Sequence, residues 1–79
     1  MPTILRQQGY RFHFYAGDRE EPAHVHVERG DSDGKIWLEP SVEAAYFHGF
    51  KAQEKKEIMR IVDEHAELLK AKWDEFFQE

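Results

Sequence analysis

Three short stretches of the chain alternate apolar with polar side chains: Tyr10-Arg11-Phe12-His13-Phe14-Tyr15, His24-Val25-His26-Val27-Glu28 and Lys35-Ile36-Trp37-Leu38-Glu39. A period of two is what a half-buried strand requires, because successive side chains leave opposite faces of the backbone. Between them lie two segments of loop composition, Ala16 to Ala23 with Gly17 and Pro22, and Gly30-Asp31-Ser32-Asp33-Gly34. Thr3-Ile4-Leu5-Arg6 is a further apolar run ahead of the turn residues Gln7-Gln8-Gly9, and Pro40 ends the last stretch. Three or four strands on short connections make an antiparallel meander.

The period then changes. Ile58, Ile61, Val62, His65, Leu68, Leu69, Lys72, Trp73 and Phe76 recur at steps of three and four, the stripe of an amphipathic helix with Lys72 as its polar exception. At 1.5 Å per residue such a helix is about 38 Å long, against about 17–20 Å for a typical strand. It must overhang its sheet, kink near His65, or pack on a second chain. With no Gly or Pro after Gly49 to supply a kink, a homodimer or a complex is the expected cover for Trp73, Phe76 and Phe77. The connector admits two readings. Ser41 could cap a short helix ended by Gly49, or Val42 to Tyr46 could form an edge strand, which is the reading adopted. The expectation is an α+β fold in one domain, 1–79, with a three- to four-stranded antiparallel meander in 1–40, a connector in 41–50, and one long helix in 51–78.

Composition narrows the function classes. The 79 residues include no Cys, which removes disulfides, thiolate metal sites and a thiol nucleophile. Lys and Arg total 11 against 16 Asp and Glu, with neither half basic, unlike a protein that coats nucleic acid. No apolar run approaches the ~20 residues of a membrane span, and no signal peptide opens the chain. A cytoplasmic protein without a membrane contact is expected. A chain this short buries only about 60–65% of its unfolded surface, so its core is marginal.

Alternation also sorts the side chains. Tyr10, Phe12, Phe14, Val25, Val27, Ile36 and Leu38 share one face, ready for the helix stripe. Arg11, His13, Tyr15, His24, His26, Glu28, Lys35, Trp37 and Glu39 share the other. His24-Val25-His26 is the strongest local signal, because two His at i and i+2 on a strand project the same way. The pair suits two ligands of one zinc-like ion, with Glu28 or His13 as a third. It equally suits an acid–base pair cleaving a phosphodiester without metal, since imidazole titrates near neutrality. It also suits plain structural or interface roles, with Trp37 and Tyr15 covering a contact surface. His65, on the helix stripe, reads as a hydrogen-bonded core or interface residue.

Several blocks together carry a family resemblance. Met1-Pro2-Thr3-Ile4, Gly9-Tyr10-Arg11-Phe12, Phe14-Tyr15, Glu21-Pro22-Ala23-His24-Val25-His26-Val27, Lys35-Ile36-Trp37-Leu38-Glu39-Pro40, Gly49-Phe50 and Trp73 resemble the small bacterial family called domain of unknown function 4160. One departure is Ala23, where the family usually has a second Pro. The resemblance implies a component of a toxin–antitoxin system, with a cognate antitoxin-like protein of the domain of unknown function 2442 type as partner. On that implication the chain is a toxin with ribonuclease-like activity. His24, His26, His13 and Tyr15 would then be catalytic, Arg11, Lys35 and Trp37 would hold an RNA substrate, and no cofactor is needed. Two alternatives stand beside it: a non-catalytic protein-binding module using the His and aromatic face, and a small metal-binding protein built on His24, His26 and Glu28.

Overall fold

The computed structural model describes residues 3–78; Met1 and Pro2 of the opening motif lie outside the described residues. β1 (Thr3–Gln7) turns into β2 (Tyr10–His13) through Gln8 and Gly9, whose φ values of 52° and 86° are both left-handed. Two successive positive φ angles are what a tight hairpin needs to match the twist of its strands, and Gly supplies one without a steric cost. β3 (His24–Arg29) and β4 (Ser32–Trp37) form a second hairpin, and β5 (Glu43–His48) completes the sheet. Every strand pairs antiparallel with its sequence neighbours, in the order β1-β2-β3-β4-β5.

The sheet therefore has five strands, where three or four were expected. Thr3–Gln7 is long enough to pair along β2, and the connector is a strand, as the adopted reading had it. The turn at Gly30 is also tighter than its composition indicates, so that β4 begins at Ser32. Gly34 sits opposite Phe47, and a Cβ there would stand 2.7 Å from the Phe47 ring; the close approach of β5 leaves room for no side chain.

Two helices replace the one expected. α1 (Ala52–Glu64) and α2 (Ala66–Phe76) are separated by His65, at φ −109° and ψ 16°. The His65 Nδ1–H donates to the Ile61 carbonyl at 2.8 Å, and the Gln7 amide approaches Nε2 at 3.3 Å. A side chain that bonds a carbonyl one turn back competes with the helical ladder and interrupts it without Gly or Pro. Both imidazole nitrogens are engaged, the hydrogen-bonded role expected for His65.

The core lies between one sheet face and the helices. Tyr10, Phe12, Phe14, Val25, Val27, Ile36 and Leu38 are fully buried with Ile58, Ile61, Val62 and Leu69. This is the face assigned by alternation. Burying each such side chain contributes about 1.5–3 kcal/mol. The aromatic end of α2, for which a second chain was the expected cover, is covered from within. Phe14, just past the end of β2, takes Trp73, Phe76 and Phe77 around its ring at centroid distances of 5.3, 5.7 and 6.3 Å.

A candidate metal centre on the β2–β3 hairpin

Strand registers arrange the second sheet face in rows. Arg11 stands opposite Glu28, His13 opposite His26, and His26 in turn opposite Lys35; His24 stands opposite Trp37. This face was expected to be open. Instead a 3-10 turn, Ala16–Glu20, lies in the connection between β2 and β3 and brings Asp18 to the two histidines. The turn forms because the Tyr15 N–H donates to Asp18 Oδ2 at 2.9 Å while the Asp18 N–H donates to the Tyr15 carbonyl at 3.0 Å. Such reciprocal bonding is the way a capping residue fixes the first turn of a helix.

Asp18 then meets both imidazoles. The His26 Nε2–H donates to Oδ2 at 3.0 Å. His24 Nε2 stands 3.1 Å from Oδ1 but outside hydrogen-bond geometry. The other nitrogen of His24 donates to the Pro22 carbonyl at 2.8 Å. With Nδ1 engaged by the carbonyl, Nε2 is left turned toward a carboxylate. The fully buried Nε2 and the partly exposed Asp18 carboxylate share one space, which a cation between them could bridge. One donor atom from each of Asp18, His24 and His26 lies within 4.8 Å of the others.

The surroundings are aromatic and close. Trp37 and Trp73 meet the His24 ring at 5.3 and 5.1 Å, so the end of α2 closes the site as well as the core. Tyr15 stands over His26 and His13 at 4.6 and 5.0 Å. His13 is 2% exposed and neither of its nitrogens has a hydrogen-bond partner among the described residues. Each buried polar atom left so costs about 1–3 kcal/mol. Burial, with the Arg11 and His26 charges adding to it, pushes the His13 pKa down to about 4. Burial also lowers His26, partly offset by Asp18. Burial tends to raise Asp18, but the Tyr15 N–H and the His26 and His24 rings outweigh it and hold the carboxyl below its usual range. An ionised carboxylate and an unprotonated imidazole are the forms in which Asp18 and His26 bind metal.

The remaining site candidates fall outside this group. Glu28, the acidic residue first placed beside the pair, is ion-paired with Arg11. Lys35 bonds Glu21 at 2.6 Å and lies 4.4 Å over the Trp37 ring. The structure thus gathers His24, His26, His13 and Tyr15, leaves Trp37 as a wall, and pairs Arg11 and Lys35 with carboxylates. Asp18 was not singled out in the sequence. Its signal was available: an Asp three residues beyond the last aromatic of a strand, able to bond back to that residue's N–H.

A five-stranded antiparallel meander backed by two helices, with a partly buried His–His–Asp cluster, defines a small α+β domain built around a polar centre. The chain belongs to the domain of unknown function family DUF4160, which it matches over residues 9–74. Neither a curated protein nor a solved structure matches it. No helix among the described residues is long and apolar enough to cross a membrane.

Proposed function

We propose that this protein is a metal-binding module whose β2–β3 hairpin holds one divalent transition-metal ion, of the zinc class, on His24, His26 and Asp18. The observation that carries the reading is the His24 ring: tied through Nδ1 to a backbone carbonyl, fully buried, with an unbonded Nε2 turned to a carboxylate. Ligating histidines are oriented by this kind of second hydrogen bond, which fixes the tautomer and frees the other nitrogen for the metal. Two imidazoles and a carboxylate suit Zn²⁺ and its first-row neighbours. At ligand bonds of about 2.0–2.2 Å, donor atoms of a tetrahedral site stand about 3.5 Å apart; the Asp18 oxygens, at 3.0 and 3.1 Å from the two ring nitrogens, are already within that spacing.

The ribonuclease reading, with the chain as a toxin acting on RNA, asks His24 and His26 to reach a phosphodiester. His24 has no exposed surface, and Arg11 and Lys35 are already matched with carboxylates. Those observations favour a small ion over a polyanion. A second role, binding a cognate small protein, is compatible with the metal and is favoured by β5. That strand ends the sheet order, most of its residues are exposed, and its Tyr46 stacks on His48 at 4.8 Å. A free edge of this kind accepts an added strand from a partner.

Thermal unfolding of the metal-free full chain, with and without Zn²⁺, tests the metal reading. An ion 100-fold above its Kd stabilises by about 2.7 kcal/mol, which for a domain of this size raises Tm by roughly 10–20 °C. Asp18→Asn should remove most of that rise. An unchanged Tm in the wild type at saturating Zn²⁺ sinks the reading.

A further inference from the structure

His13 is not used by the three-donor centre, yet it has the marks of a ligand. It is buried, both its nitrogens lack partners among the described residues, and buried polar atoms without partners are few in natural folds. It stands directly opposite His26 across the β2–β3 ladder, with the two rings 24° from parallel and 5.8 Å apart. Tyr15 covers both rings from the solvent side, itself 42% exposed.

We propose that His13 is the fourth protein ligand of the Asp18–His24–His26 centre, which makes the site closed and structural. The proposal rests on the metal reading above and goes beyond it. The His13 ring joins by rotating about its side-chain bonds. On binding, the His26 proton moves through solvent from Nε2 to Nδ1, so that Nε2 can coordinate while the ring stays neutral and keeps one N–H. Three protein ligands leave a position for water, as catalytic zinc sites do, whereas four leave none. A closed site fits a 79-residue chain without Cys, in a size range where natural domains commonly depend on a staple. It also separates the function classes, since such a centre supports a binding surface and not a reaction.

Cobalt(II) added to the metal-free full chain provides the test. The wild type should show the intense visible bands of four-coordinate cobalt. His13→Phe keeps an aromatic ring in the same space and removes both orphaned nitrogens, so the metal-free variant should melt higher than the wild type. Its cobalt spectrum should fade to the weak absorption of a centre with added water. Its affinity should fall at least about 100-fold, since losing even an outer partner of a ligand typically costs 10–100-fold. Should the variant not fold, proton NMR of the cobalt-loaded wild type replaces it. Three shifted, exchangeable ring N–H signals mark three coordinated histidines. Two such signals, or a variant with unchanged spectrum and affinity, overturn the proposal and leave the three-donor reading standing. A wild type that binds no cobalt removes both.

Discussion

At the scale of single residues, the β2–β3 hairpin sets the response to acid. The folded pKa of His13 is about 4, below its ordinary 6.5. Between those values the unfolded chain binds the extra proton and the folded chain does not, so stability falls as pH drops from 6.5 toward 4. The loss from His13 alone is on the order of 3 kcal/mol when complete. His26 is shifted in the same direction and adds to it. Asp18 acts in the same direction at lower pH: its lowered pKa stabilises the fold above the ordinary 3.8, and that contribution is lost as pH falls through the depressed value. Urea midpoints of the metal-free chain should therefore drop steeply between pH 7 and pH 4.5, and His13→Phe should flatten most of the slope. An equal midpoint at both pH values would mean that His13 is not held neutral by burial. The period of two in the sequence made the His24–His26 pairing legible, and with it the company of His13 and Tyr15. Asp18 was hidden because a short 3-10 turn has no periodic signature, and its position depends on one side-chain bond to Tyr15.

Among the elements, the helix pair and the aromatic residue beneath it show where local patterns end and tertiary contacts begin. The stripe from Ile58 to Phe76 was readable as helix from its spacing. The interruption at His65 was not, since it depends on an imidazole bonding its own helix and on Gln7 from a distant strand. Nor did spacing reveal that Phe14 receives three aromatic rings, because it lies just beyond the paired residues of β2. Phe14→Ala tests this docking. The residue is fully buried, and its truncation should cost about 3–5 kcal/mol in chemical denaturation. Trp73 would lose its seat and uncover His24, whose ring signals should then exchange faster with solvent. A loss below about 1 kcal/mol would mean that the end of α2 is not anchored there. The face assignment survived intact for a simple reason: alternation is a property of the backbone, and neither the extra strand nor the divided helix changes it.

Taken as a whole, the molecule has a sheet in which every strand pairs with the next one in the chain. Pairings of this kind close short loops, and folds rich in them reach the native state quickly. The four residues of the polar centre, His13, Asp18, His24 and His26, all fall within one such loop. They can come together as soon as β2 meets β3, before either helix has settled on the sheet. An ion that binds them would hold this hairpin at the stage when the chain has least else to hold it. Zn²⁺ should therefore act on the clock as well as on the balance: in stopped-flow experiments it should speed refolding more than it slows unfolding. The reverse pattern would place the hairpin late, after the helices dock. If the centre holds metal, its place along the chain would make metal supply a determinant of how long a newly made molecule remains exposed before its core closes.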